Sequence, residues 1–90
     1  MVVPFSVLVG RASVLTVVHG RKQREHLVRA IETVAERVVC TTHVPLDAER
    51  ALEVLIVRGR ASDLAALAGR IGGARGVLAA ELAIAAVADP

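Results

Sequence analysis

The chain has 90 residues, 54% of them hydrophobic, and its formal net charge is +2. This length is that of one domain, and so small a net charge excludes the strongly basic surface of a typical nucleic-acid-binding domain. The single cysteine excludes an internal disulfide and a cysteine-based zinc site, and it fits a reducing cytoplasm. So short and aliphatic a chain is expected to bury surface between subunits, as a homo-oligomer that is a dimer or a tetramer.

The first 18 residues are apolar, but Gly10 and Arg11 interrupt them and no basic segment precedes them. A membrane span needs about 20 consecutive apolar residues, and a signal peptide begins with a basic region. We therefore predict no membrane segment. Residues 1–12 are interpreted as a strand or arm, and residues 13–90 as the domain proper.

Val14–Val18 has the β-branched composition of a strand, which ends at His19 and Gly20. Residues Arg21–Arg37 then follow the period of a helix. Its apolar stripe comprises Leu27, Val28, Ile31, Val34 and Ala35. The basic first turn opposes the helix dipole, so it either attracts an anion or is simply solvated.

Val38–Leu46 alternates as a strand does, with Asp47–Arg50 as a turn and Ala51–Val57 as the next strand. Alternation predicts one face formed by Val38, Cys40, Thr42, Val44 and Leu46, and another formed by Val39, Thr41, His43 and Pro45. The second strand is apolar except for Glu53, as expected of a central strand covered on both sides.

Ser62 is a predicted N-cap, and the helix after it ends at Gly72–Gly73. The buried stripe of this helix is predicted to comprise Leu64, Leu67, Ala68 and Ile71. Val77–Val87 supplies a last strand, although its alanines are poor strand formers.

The predicted order from Val14 onward is β-α-β-β-α-β. This order predicts an α+β, ferredoxin-like (ACT-type) sandwich, in which an antiparallel sheet has two helices on one face. An extra strand could come from residues 1–12. No segment is left to cover the other face of the sheet, so a partner subunit is expected there.

No enzyme signature is found: there is no phosphate-binding glycine motif after a strand and no nucleophile constellation. Cys40 is interpreted as a small core residue, on the strand face opposite to His43. His43 is either a structural histidine or a metal ligand. His19 and His26 could join it only through the fold or through another subunit.

Four segments carry a recognisable pattern: Ser13–Val18, Val39–Val44, Leu52–Glu53 and Gly59–Val77. Through them the chain resembles the C-terminal regulatory domain of the nickel-responsive regulators, over roughly Ser13–Val87. The resemblance implies an ACT-like domain that forms tetramers, with nickel between subunits and a separate ribbon-helix-helix domain for DNA. Only residues 1–12 precede the matching region, so we expect no direct nucleic-acid binding by this chain.

The resemblance also implies a nickel ligand set. His43 matches the first hairpin histidine, whereas Pro45 replaces the second and Ala51 replaces a cysteine. The remaining ligand, from a neighbouring subunit, aligns near Glu36. The cofactor is therefore left open: nickel is one candidate, but its standard ligand set is incomplete, and His43 with Glu36 is the candidate for a weak site.

The predicted function is that of a cytoplasmic, ligand-sensing or oligomerisation domain, and not that of an enzyme. His19, Gly20 and Arg21 are the predicted loop for a small ligand, because Gly20 permits a close backbone approach. Two alternatives stay open. Thr16–Val18, Val44–Pro45 and Ala66–Gly72 are similar to segments of the stand-alone ACT-like regulators of the iron-only hydrogenase system. The chain could also be a purely structural assembly domain.

Overall fold

The computed structural model describes residues 12–84. Its elements are β1 (Ala12–Gly20), α1 (Arg24–Glu32), β2 (Val38–Pro45), β3 (Arg50–Arg58), α2 (Ala61–Gly72) and β4 (Val77–Ile84). The predicted order of strands and helices from Val14 onward is confirmed. The strand or arm predicted for residues 1–12 lies outside the described residues except for Ala12. The end of the predicted last strand, residues 85–87, also lies outside them.

The four strands form one antiparallel sheet in the order β2-β3-β1-β4. The two central strands are β1 and β3, which pair along their full length from Ala12–Arg58 to Gly20–Arg50. This topology is the predicted ferredoxin-like fold.

The core lies between one face of the sheet and the two helices. It consists of Leu15, Val17, Leu27, Val34, Leu55, Val57, Leu64, Leu67 and Ile71. All nine are at most 7% exposed. Within the described residues no element covers the other face of the sheet, which we call the open face.

The first helix is shorter than the predicted Arg21–Arg37. A 3-10 turn spans Arg21–Gln23, α1 ends at Glu32, and a second 3-10 turn spans Ala35–Arg37. The hydroxyl of Thr33 donates a hydrogen bond to the carbonyl oxygen of Ala30 at 2.6 Å. Such bonds compete with helix continuation. Val34 is nevertheless buried, as predicted, whereas Ala35 is exposed.

The second helix begins earlier than predicted. Arg60 precedes its first turn and Ser62 is an exposed residue inside it, so the prediction of Ser62 as the N-cap was wrong. The predicted buried stripe is confirmed, since Leu64, Leu67 and Ile71 are buried and Ala68 is partly buried against the core.

A bulge at Val39 changes which side chains share a face of β2. Val38 pairs with Val57, but Cys40 pairs with the preceding residue, Ile56. Val38 therefore packs against the core, and Cys40 is exposed on the open face. The predictions that these two residues share a face and that Cys40 is a core residue were wrong, because alternation alone does not reveal an inserted residue.

Among residues 12–84, no helix is long and apolar enough to cross a membrane.

Replacing two of the glycines by alanine is expected to change the stability of the fold in opposite directions. Gly76 has φ +87°, and an added Cβ would overlap the side chain of Gln23. Gly69 lies within α2, and a Cβ there would meet no atom within 4 Å. We expect Gly76→Ala to lower the free energy of unfolding by about 1–3 kcal/mol, and Gly69→Ala to raise it by about 0.4–1 kcal/mol. Urea denaturation measures both, and equal effects of the two changes would contradict the assigned turn.

Candidate functional site

A buried carboxylate lies in the middle of the sheet. Glu53 is on central strand β3 and is 2% exposed. Its side chain points to the face covered by the helices, as those of Ala51 and Leu55 do. Burying a charge costs several kcal/mol unless it is paired, so its neighbours determine whether this arrangement is stable.

His43 is the neighbour of Glu53 on edge strand β2. The strand register places the two residues directly opposite each other. The Nδ1 atom of His43 lies 2.5 Å from Oε1 of Glu53, and its side chain is 33% exposed. A carboxylate oxygen only accepts hydrogen bonds, so Nδ1 is the donor.

His19 approaches Glu53 from the other side, at the end of β1. It pairs with Ala51 across the sheet and is therefore diagonal to Glu53. Its Nε2 atom lies 3.5 Å from Oε1 of Glu53. The imidazole rings of His19 and His43 have centroids 6.0 Å apart.

The third neighbour is a cation from the first helix. Arg24, the first residue of α1, donates from Nε to Oε1 of Glu53 at 2.9 Å, and its side chain is 46% exposed. Burial by itself raises the pKa of Glu53. The hydrogen bonds from Arg24 and His43 and the charge of Arg24 outweigh burial and hold that pKa below its ordinary value.

The tautomer of His19 follows from its second contact. Nδ1 lies 3.0 Å from the carbonyl oxygen of Gly20, which can only accept, so Nδ1 carries the hydrogen. Nε2 is buried and has no hydrogen-bond partner. In the neutral ring Nε2 therefore carries a lone pair, which faces the carboxylate of Glu53. Histidines that bind metals commonly have this arrangement: one nitrogen offers a lone pair, and the other donates a hydrogen bond to a backbone carbonyl.

The three side chains can offer ligand atoms that all lie within 4.8 Å of one another. Imidazole nitrogen and carboxylate oxygen suit divalent first-row transition metals. Residues 12–84 contain this group of side chains that could hold a metal ion together. We call it the triad: His19, His43 and Glu53.

The structure separates the two residues predicted for a weak metal site. His43 belongs to the triad. Glu36 lies in the 3-10 turn after α1, exposed, beside a cleft between the helices whose lining includes Arg37, Asp63 and Arg70. Within one described chain Glu36 is not part of the group around His43.

The predicted ligand loop is held by backbone hydrogen bonds. The amide of Gly20 donates to the carbonyl of Gly76 at 3.0 Å, and the amide of Arg21 donates to that of Glu49 at 2.8 Å. The guanidinium of Arg21 donates to the carbonyl of Asp47. A shallow pocket beside this loop is lined by Gly20, Lys22, Gln23 and Glu49.

Sequence reasoning missed Glu53 as a site residue and placed His19 in the ligand loop. One signal was present, since Glu53 interrupts an otherwise apolar strand and so had to find partners. The position of His19 depends on the register between β1 and β3, which local periodicity does not give.

The hairpin turn fixes the register that pairs His43 with Glu53. One carboxylate oxygen of Asp47 accepts from the amides of Glu49 and Arg50 at 2.9 and 2.7 Å. The other accepts from Nε and Nη2 of Arg50 at 3.0 and 2.8 Å. This is a side-chain-capped turn, which sets the pairing of the two strands.

A family model described as the NikR C-terminal nickel-binding domain matches residues 12–85. An inferred nickel-responsive regulator of Helicobacter pylori (strain Shi470) is 39% identical over 75 residues, which is 80% of this chain and 51% of that protein. A protein of the same description from Methanopyrus kandleri is 38% identical over 66 residues, 73% of this chain and 46% of its own length. The chain thus spans about half the length of these curated relatives.

Solved structures show the same fold. The uncharacterised protein TM1266 of Thermotoga maritima superposes with a TM-score of 0.71 at 21% identity, covering 82% of this chain and 95% of that one. The C-terminal domain of the MgtC protein from Mycobacterium tuberculosis superposes with a TM-score of 0.67 at 15% identity, covering 88% and 94%. At such low identity the likeness concerns the fold alone.

The nickel ligand set implied by the resemblance does not fit this chain. Pro45 and Ala51, at the two positions where a histidine and a cysteine would be needed, pair with each other across β2 and β3. Neither side chain has a donor atom. Cys40 cannot substitute, because it lies on the open face.

The turn gives a prediction with a pH dependence. Hydrogen bonds from the amide of Glu49 and from Arg50 hold the pKa of Asp47 below its ordinary value of 3.8. A lowered pKa in the folded state stabilises the fold above pH 3.8, and this contribution is lost as the pH falls through the folded-state value.

We therefore expect Asp47→Ala to lower the urea midpoint at pH 7, with a difference from the unmodified chain that shrinks below pH 4. Glu49→Ala, in the same exposed turn, is the matched control and should change the midpoint little. A difference that is constant from pH 7 to pH 3 would contradict the assigned hydrogen bonds.

Proposed function

The chain belongs to the family of NikR C-terminal nickel-binding domains, and we propose that it is the ligand-responsive regulatory domain of a homo-oligomer. The family predicted from the hairpin is confirmed by the match over residues 12–85. In our proposal the standard nickel site is degenerate, because Pro45 and Ala51 lack donor atoms. The role is regulatory and not enzymatic, in the cytoplasm.

The open face of the sheet is the observation that carries this proposal. Its centre is mostly apolar, with Thr16 and Thr42 beside Val54. The apolar residues are Val14, Val18, Val44, Leu52, Val54 and Ile56. Val44 is 38% exposed, and the others are half-buried. An antiparallel sheet with one face in water normally has polar side chains there, so this face suits contact with protein.

We take a second copy of this chain as the partner. Charged residues lie at the margin of the open face, with Arg50 and Arg58 at the ends of β3 and Glu81 on edge strand β4. An apolar centre with a polar rim is the anatomy of a subunit interface. Arg50 is already paired with Asp47. Arg58 and Glu81 then remain with opposite signs, so two copies of this surface can face each other without net repulsion.

Regulation in this proposal is a bias on subunit packing. A ligand that binds one arrangement of the subunits better than another shifts the population toward it. The triad and the loop of His19, Gly20 and Arg21 lie at the covered face of the sheet or at its end. A ligand there would act on the open face through strands β1 and β3, which contribute to both faces.

A purely structural assembly domain is the second candidate. The same open face favours it, since assembly alone needs only a subunit interface. The two candidates differ in ligand dependence: a structural domain keeps one oligomeric state after exhaustive dialysis against chelator and after addition of divalent metals.

The interface gives a prediction. Val54 lies at the centre of the open face, between Thr16 and Thr42 on the neighbouring strands. We expect Val54→Lys to convert the oligomer to a monomer by multi-angle light scattering, because a lysine ammonium there would be desolvated without a partner. Circular dichroism should show a folded chain.

The matched control is Glu32→Lys, at the exposed end of α1 away from the open face. This variant should keep the oligomeric state of the unmodified chain. An unmodified chain that is monomeric at all concentrations, or a Val54→Lys variant that assembles normally, would contradict the proposed interface.

A further inference from the structure

We propose that His19, His43 and Glu53 form a binding site for a divalent transition-metal ion of the zinc class, which replaces the missing nickel site. Three strands supply the ligands: β1, β3 and β2. The metal ion would be the ligand of the proposed regulatory domain. The regulatory effect of the ion rests on the proposed function, whereas metal binding itself can be measured independently of it.

The unpartnered nitrogen of His19 is the first argument. Nε2 is buried without a hydrogen bond, while Nδ1 is committed to the carbonyl of Gly20. A buried polar atom without a partner is rare in folded proteins and calls for an explanation. A lone pair directed at a carboxylate is repulsive in a dry site, and a cation between the two removes the repulsion.

The distances are the second argument. Ligands at about 2.1 Å from a tetrahedral zinc ion are about 3.4 Å from each other. Nε2 of His19 and Oε1 of Glu53 are 3.5 Å apart. His43 Nδ1 is closer to Glu53, at 2.5 Å, and must withdraw by about 1 Å to admit an ion. Its hydrogen then passes to Nε2 of the same ring, so that Nδ1 offers a lone pair to the metal. His43 can do so because it lies on an edge strand and is partly exposed.

Arg24 is the internal competitor of the metal. Its guanidinium now supplies the positive charge near Glu53 at 2.9 Å. Its side chain is 46% exposed, so it can turn into solvent when an ion arrives. Because Arg24 is the first residue of α1, loading the site releases the contact that ties the start of this helix to the sheet.

The donor set decides the class of metal. Two imidazole nitrogens and one carboxylate oxygen, with a position left for water, match zinc sites of the two-histidine, one-carboxylate type. No thiolate is available on this face, because Cys40 is exposed on the opposite one. A square-planar site with a thiolate ligand is therefore excluded within the described chain.

The test is equilibrium dialysis of the tag-free, chelator-treated 90-residue chain against zinc, with cobalt(II) absorption as the spectroscopic measurement. We expect one zinc ion per chain and a cobalt spectrum of tetrahedral intensity. His19→Gln, His43→Gln and Glu53→Gln should each weaken zinc binding on the order of 100-fold. Arg24→Gln should strengthen it about tenfold, because a charge-assisted hydrogen bond no longer competes.

Two control variants should bind zinc as the unmodified chain does. His26→Ala removes a histidine on α1 outside the triad, and Cys40→Ser removes the thiol on the open face. If His19→Gln fails to fold, His43→Gln still tests the site, because His43 is partly exposed and its replacement disturbs the core less. Zinc uptake that is absent in the unmodified chain, or undiminished in all three triad variants, would overturn the proposal.

Light scattering with and without zinc separates this proposal from the proposed function. Zinc binding by a chain that is monomeric under both conditions would support the metal site and contradict the oligomeric domain. An oligomer that takes up no zinc would contradict the metal site alone. Zinc binding that is lost in Cys40→Ser would place the ion on the open face and overturn the triad.

Discussion

The arrangement of this domain depends on one carboxylate. Glu53 is buried at the centre of the sheet, where an unpaired charge would cost several kcal/mol. Arg24 and His43 donate to it from a helix and from an edge strand, and His19 faces it from a central strand. The same oxygen atom thereby connects the start of α1, the hairpin and the end of β1. Positions that look independent along the chain are constrained together by the need to neutralise it.

Local patterns predicted most of the fold. β-branched runs gave the central strands, and the apolar spacing of the second helix gave its buried stripe of Leu64, Leu67 and Ile71. Two of the errors have a common cause. The break at Thr33 and the bulge at Val39 each arise from a single residue whose hydrogen bond or insertion interrupts a regular repeat. Periodicity averages over such residues and cannot reveal them.

The site was harder to predict from the sequence than the fold was. His43 was identified from the hairpin, because its neighbours there match a known pattern. Its association with His19 requires the long-range pairing of β1 with β3, and His19 was assigned to a loop instead. Glu36 was chosen because the ligand that a neighbouring subunit contributes in the family aligns near it, and it lies beside a different cleft. The register also shows that His19 lies next to Ala51, the position where the resemblance implies a cysteine. The ligand atom that is missing at Ala51 thus has a potential replacement in the imidazole of His19 on the adjacent strand.

Pro45 has a second consequence besides the absence of a ligand atom. It ends β2, an edge strand whose outer backbone groups could pair with a strand of another chain. Proline has no amide hydrogen to donate, and natural proteins use it to discourage such pairing at sheet edges. At this end of β2 the edge is therefore protected against continuous sheet extension. The residue that stands in place of a nickel ligand therefore also discourages edge-to-edge pairing at this end of the hairpin.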